Sequence, residues 1–257
     1  MIRVDRRERG IAWVVIERPE ARNAMTFAMW ERLREIAGEL DRDAAVRAVV
    51  ITGSGSEAFI AGTDIAEFRA FTGADDGVAY EKRIDAVISA LEAIRVPTIA
   101  AIAGACTGGG VSVAATCDLR VGAPNARIGV PIARTLGNII SVRNAARVAA
   151  IIGLDATKRL LLTGQLLRAD DAQRAGFLTE IAASDDALHA RAQEIAEGLV
   201  VLAPLTLRAS KEIARRLRAA TAVPDGEDLI RLCYGSRDFR EGLTAFLDKR
   251  RPEWSGG

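Results

Sequence analysis

The apolar residues of the chain fall into two regimes. Short buried-looking runs alternate with amphipathic helices over the first 130 residues or so, and beyond Asp155 helical spacing takes over. Ile11 to Glu17 (IAWVVIE), Val46 to Thr52 (VRAVVIT) and Thr98 to Ile102 (TIAAI) are continuous apolar runs, as expected of strands covered on both faces. Between the first two, Phe27 to Asp41 puts Met29, Trp30, Leu33, Ile36, Ala37 and Leu40 on one helical face, predicting a helix packed on a sheet. The loop before it, ERPEARNAMT, holds Asn and Thr suited to a turn and a helix start. Gly73 to Arg95 predicts one long helix, capped by Asp75 and Asp76 and closed by Pro97. A further helix is expected over Ile139 to Ile152, and the segments DATKRLLLTG, ADDAQRAG, DDALHARAQEIAEGL, APLTLRASKEIARRLRAA, PDGEDLIRLCYGS and RDFREGLTAFLDK follow helical spacing. The pattern predicts an α/β fold, with a sheet-containing core and a helical C-terminal region. The late helices have little sheet left to cover, so they cover either their own core or another subunit.

The densest chemistry lies between Arg95 and Arg120, RVPTIAAIAGACTGGGVSVAATCDLR. A buried strand runs into Gly104, Gly108, Gly109 and Gly110, and a small-residue helix begins at Val111. Such a turn aims free backbone N–H groups, with the positive end of a helix behind them, at one point. AGTDI, Ala61 to Ile65, repeats the strand–loop–helix transition, so N–H groups near Thr63 and Gly109 could together hold a negative oxygen. From the local sequence alone, close packing of helix on strand is the simpler account of the same glycines. A triphosphate site is disfavoured, because GACTGGG lacks both the lysine of GxxxxGK[ST] and the spacing of GxGxxG. Asp64 reads as either a helix-start acid or a site acid.

Composition narrows the field. The 257 residues are 49% hydrophobic, enough for a sizeable core. Thirty-five basic against thirty-four acidic residues leave a charge of +1, which gives no reason to expect nucleic acid or a membrane surface as partner. No apolar run reaches the length of a membrane span and MIRVDRRERG has no apolar signal core, so a cytoplasmic protein is expected. Cys106, Cys117 and Cys233 lack CxxC spacing and predict neither disulfides nor a metal site. His189, the single histidine, falls beside the apolar face of its helix and is expected to be solvated.

RPEARNAM, AFIAGTDI, PTIAAIAGACTGGGVSVAATCDLRVG and ARIGVPIARTLG resemble, in order, successive motifs of the crotonase, or enoyl-CoA hydratase/isomerase, superfamily. LLLTGQLLRADDAQRAGFLTEI and EGLTAFLDKRRPEWSG are similar to its later segments, so the resemblance covers nearly the whole chain. It implies a spiral of strand-strand-helix turns over residues 1–195 and a C-terminal helical region, 196–257, used in a homotrimer or dimer of trimers. It implies an acyl-CoA substrate, fatty-acid-type lyase or isomerase chemistry, and no cofactor beyond the coenzyme A of the substrate itself. By position, Thr63 and Gly109 would donate to the thioester enolate oxygen. Arg22, Ala24, Ala61, Asp64 and Ile65 would line the CoA channel, with Phe246 and Lys249 approaching CoA, commonly from a neighbouring subunit.

The resemblance fails at two positions. Hydratases of the superfamily carry one glutamate on the helix after the glycine turn and another in a later GxPE motif, where this chain has Ser112 and Ile132. Water addition by that mechanism needs both carboxylates, so isomerase, decarboxylase or other lyase chemistry is the expectation, with a non-catalytic CoA-ester-binding subunit as the alternative. PIARTLGN also carries one residue more between proline and glycine than the family pattern, leaving Asp64, Ser112, Arg134, Thr135 and Asn138 as polar candidates for the acyl pocket. Arg134 would pair there with an acyl carboxylate, or else serve as a surface or intersubunit ion pair.

Overall fold

The computed structural model describes residues 1–220 and 223–257. Its first half comprises β1 (Ile2–Arg6), β2 (Ile11–Ile16), α1 (Phe27–Arg42), β3 (Ala48–Gly53), β4 (Ala58–Ile60), α2 (Ala74–Glu92), β5 (Thr98–Ile102) and β6 (Ala105–Thr107). There follow α3 (Gly109–Thr116), β7 (Leu119–Gly122), β8 (Arg127–Gly129), α4 (Ile132–Thr135), α5 (Val142–Ile152), α6 (Leu154–Thr163), β9 (Leu167–Arg168), α7 (Ala169–Arg174) and β10 (Glu180–Ile181). The last four helices are α8 (Leu188–Val200), α9 (Pro204–Ala219), α10 (Glu227–Tyr234) and α11 (Arg237–Leu247).

β3, β5 and β7 lie parallel in a six-stranded sheet of order β1-β2-β3-β5-β7-β10, while β4, β6 and β8 lie parallel in a four-stranded sheet, β4-β6-β8-β9. Each turn of the chain therefore lays one strand in each sheet before entering a helix. This is the strand-strand-helix spiral expected from the sequence. β1 escaped the pattern because IRVDR is mostly polar; it is an antiparallel edge strand on β2, where charged side chains reach water.

The runs in β2, β3 and β5 are buried throughout because both faces of the large sheet are covered. Ala12, Val14 and Ile16 face a core built with α1, α2 and α3, whereas Ile11, Trp13 and Val15 face a second core closed by Leu188, Ala192, Ala196 and Val200 of α8. The boundary expected at residue 195 thus falls inside a helix that belongs to the sheet. Thr26 caps α1 by accepting from Met29 N–H, and Asp76 closes the start of α2 by accepting from Thr72 and Gly73. Asp75 is instead ion-paired with Arg231.

The C-terminal helices divide their work. α9 has no buried residue and exposes Leu205, Ile213 and Leu217. α10 packs on α2, where Gly77 leaves room for the Tyr234 ring. Phe27, Phe68, Phe71, Tyr80, Tyr234 and Phe239 gather into one aromatic cluster with neighbouring centroids 4.9–6.4 Å apart, which ties α10 and α11 to the front of the spiral. Cys106 and Cys117 are buried free thiols, and Cys233 is half-buried.

Contact between α3 and β4 is set by Gly110, where an added methyl would stand 2.2 Å from the Ile60 carbonyl oxygen. Gly110→Ala should cost about 1–3 kcal/mol of stability in urea unfolding; an unchanged midpoint would refute this tight seating.

Candidate active site

Two loops meet at the edge of the small sheet. The first leaves β4 through Ala61 to Asp64; the second leaves β6 through Gly108 into α3. Gly62 (φ 100°) and Gly108 (φ 54°) both occupy left-handed backbone, and each lies where a side chain would meet the other loop: a methyl on Gly62 would be 3.9 Å from Gly109 N, and one on Gly108 would be 3.7 Å from Gly62 Cα. The loops are held by their neighbours. Met25 N–H donates to Gly62 O and Asp64 N–H donates to Met25 O, a pattern that skips Thr63 N–H. Gly108 N–H donates to Gly129 O, and Gly109 begins α3. Among the described residues neither Thr63 N–H nor Gly109 N–H has an acceptor. Two adjacent unused amide donors are thereby set at a helix start.

Trp30 braces both loops. Its indole lies under Gly109, where an added methyl would stand 2.8 Å from Trp30 Cζ2, and its Nε1–H donates to Thr63 Oγ1 at 2.9 Å. Tyr80 shares a 2.6 Å hydrogen bond with the same Thr63 hydroxyl. The helical spacing of α1 identified Trp30 only as a core residue; its indole donor is what gives it a second task.

The donors open onto a cleft of about 530 Å³. Arg22, Ala24, Ala61, Asp64, Ile65 and Phe246 all line it, as do Ser112, Thr135 and Asn138. Its outer loop is fixed by Asn23, which donates to Ser54 O and Ala58 O and accepts from Arg18 N–H. Asp64 caps the short helical turn after it through Ala66 N–H, as expected of a helix-start acid, and pairs with Arg18 at 2.7 Å. Arg134 is exposed and absent from the lining, because its stem turns onto Gly164. Lys249 is likewise exposed and outside the lining. Phe246 lines the cleft of its own chain, where Phe239 and Ala245 seat α11 beside the turn at Ile65–Ala70. His189 stands against Trp13 on the other side of the large sheet.

Sequence reasoning missed one group in the wall of this cleft. Glu81, 4% exposed, accepts from Tyr234 Oη at 2.9 Å and from Ser141 N–H at 2.9 Å. Burial pushes its carboxyl up to about 8, helped by the Asp85 charge and opposed by these two hydrogen bonds. Asn138 Nδ2 donates to the same Tyr234 oxygen, while Asn138 Oδ1 is buried with no partner among the described residues. The available signal was an acid one position from Tyr80 on the apolar side of α2.

A spiral of paired strands with its cleft at the β6–α3 turn defines the crotonase fold. The chain belongs to the enoyl-CoA hydratase/isomerase family, whose pattern matches residues 6–257. A short-chain-enoyl-CoA hydratase of Clostridium acetobutylicum is 32% identical over 253 residues, spanning 96% of this chain and 95% of its own length. The crystal structure of an enoyl-CoA hydratase/carnithine racemase from Magnetospirillum magneticum matches with a TM-score of 0.80 at 32% identity, covering 100% of this chain and 96% of that one. A methylmalonyl-CoA decarboxylase bound to 2-nitronate-propionyl-CoA matches with a TM-score of 0.88 at 23% identity over 100% of this chain and 98% of its own, a likeness of fold. Among the described residues no helix is long and apolar enough to cross a membrane.

The raised Glu81 carboxyl makes stability depend on pH. The folded state holds this proton more tightly than the unfolded chain, so its contribution is complete below about 4.5 and is lost as pH rises through about 8. Urea midpoints should fall across that window and fall less in Glu81→Gln; parallel profiles for the two proteins would contradict this assignment.

Proposed function

We propose that the cleft binds an acyl-CoA thioester and stabilises its enolate, with Thr63 N–H and Gly109 N–H donating to the thioester oxygen. The observation that carries this reading is the pair of adjacent, acceptor-free amides braced by one tryptophan. Charge on a carbonyl oxygen grows as the enolate forms, so donors fixed in advance favour the transition state over the ground state. Arg22, Ala24, Ala61, Asp64 and Ile65 flank the channel for the CoA portion, and Phe246 covers it. Lys249, outside the lining, would meet at most the exposed phosphates. No cofactor is required beyond the coenzyme A of the substrate.

The relatives named as hydratases do not carry water addition over to this chain. Ser112 and Ile132 both line the cleft where that chemistry wants carboxylates, and a buried serine and an isoleucine supply neither a base nor an acid. Isomerase or lyase chemistry through the enolate fits the lining better. The exposed leucines and isoleucine of α9 support assembly as a trimer or dimer of trimers, and Lys211 of that helix, paired with Asp118 at 2.6 Å, fixes its position on the core.

Two measurements test the reading. Gly109→Pro removes one donor and should lower kcat by about 10²–10³-fold on any thioester the protein turns over; undiminished turnover sinks the donor assignment. Tight binding without turnover across a thioester panel would favour a binding subunit instead. Ser112→Glu with Ile132→Glu should raise crotonyl-CoA hydration from its basal level, and no gain would argue against the expected geometry of the two positions.

A further inference from the structure

Glu81 stands in a wall between two cavities. It lines the cleft on one side and, on the other, a separate groove of about 450 Å³ bordered by Lys82, Asp85, Ser141, Arg143, Asp225 and Glu227. We propose that Glu81 is the acid–base catalyst of this site, exchanging a proton with the acyl carbon beside the thioester carbonyl and with solvent through the groove behind it. The inference rests on the enolate reading of Thr63 and Gly109 and assigns the proton-transfer group which that reading lacks.

Position is the first argument. Tyr80 touches Thr63 Oγ1, so this turn of α2 abuts the donor pair, and Glu81 and Ile84 continue along the cleft wall from there. Chemistry is the second. The lining holds two carboxyls, and Asp64 is already paired with Arg18; no histidine or lysine lines the cleft among the described residues. Glu81 has no ion-pair partner among those residues, although a buried carboxylate without a cation is costly. A glutamine would satisfy Tyr234 Oη and Ser141 N–H as well, so packing alone gives no reason for an ionisable group.

The surroundings support both protonation states. With Asn138 Nδ2 donating to Tyr234 Oη and Tyr234 donating to Glu81, the chain of hydrogen bonds favours the carboxylate. Reversed, with the Asn138 amide rotated and its unpartnered oxygen as the last acceptor, it favours the acid. The other charges facing Glu81 are Asp85, one turn along α2, and the groove's Lys82, Arg143, Asp225 and Glu227. Arg147 lies beyond Asp85 at 3.8 Å, and Tyr80 and Tyr234 are held neutral by burial.

The step balances without an oxidant or added water. The Glu81 carboxylate takes a proton from C2; the C–H electron pair becomes the enolate, and its negative oxygen rests on Thr63 N–H and Gly109 N–H. The neutral Glu81 then returns the proton to C2, or to C4 when the chain is unsaturated, or exchanges it with solvent through the groove. One carboxyl serves both halves of a 1,3-proton shift, whereas hydration needs two groups. The substrate class is therefore a thioester with an ionisable hydrogen beside the carbonyl and an apolar chain to meet Ile84, Leu136 and Ile140.

Exchange of the C2 hydrogens of butyryl-CoA in deuterium oxide, followed by NMR, tests this without knowledge of the natural substrate. Wild-type protein should exchange them at a rate that rises with pH around a midpoint near 8. Glu81→Gln should exchange at least about 100-fold more slowly while binding butyryl-CoA unchanged by calorimetry, and Glu81→Asp should restore part of the rate. Tyr234→Phe removes a hydrogen bond that favours the carboxylate, so it should move the midpoint upward, which a merely structural role would not do. Wild-type exchange by Glu81→Gln, or butyryl-CoA binding without exchange between about pH 6 and about pH 10, overturns the proposal. If Glu81→Gln is slow but Gly109→Pro exchanges like wild type, the enolate donors are wrong and Glu81 stands; neither binding nor exchange by the wild type overturns both.

Discussion

Everything at the front of this molecule depends on how closely two backbone loops approach each other. Gly62 and Gly108 come within van der Waals range, and both hold a positive φ that favours glycine. The approach leaves two amide hydrogens unused and adjacent, at a price in backbone entropy that only a rigid floor offsets. Trp30 supplies that floor with its ring and, through its nitrogen, a tether to Thr63. Strand β4, helix α1 and helix α3 are then tied to one another through the site, so the geometry of the amides inherits the rigidity of the core these elements share.

The sequence exposed the elements whose signal is local. β5 matches its expected limits, Thr26 and Asp76 cap helices as their chemistry suggests, and the glycine turn was visible from composition alone. The two loop-to-helix turns pointed to N–H groups near Thr63 and Gly109 and the resemblance gave them a role, but nothing in AGTDI or TGGGV reveals that Met25 bonds on either side of Thr63 and leaves its N–H without an acceptor among the described residues. Features that depend on long-range packing stayed hidden. Trp30 and Glu81 sit inside regular helices, and only the tertiary fold distinguishes an indole donor or a carboxyl in the cleft wall from neighbouring core residues. Arg134 looked eligible by position, yet the short helix α4 turns its side chain outward toward Gly164.

The family resemblance and the local chemistry divide the functional question between them. Membership fixes the spiral and the acyl-CoA class, while the lining decides which reactions are accessible. Ser112 and Ile132 add no carboxyl to the cleft lining. Of the two carboxyls that do line it, Asp64 is ion-paired with Arg18, and under the proposed enolate reading the one unpaired carboxyl suits a proton shift between carbons better than water addition, which needs two.

The aromatic cluster has a consequence for how the protein is made. Tyr234 and Glu81 are 153 residues apart in sequence, so the contact that finishes the cleft wall has one of the longest chain closures in the fold. The loops beside β4 and β6 can form with the sheets, but Tyr234 and Phe239 arrive only with α10 and α11, late in synthesis. Until the last helices dock, Glu81 lacks Tyr234 as a partner, and their docking completes the burial that makes its carboxyl a weaker acid.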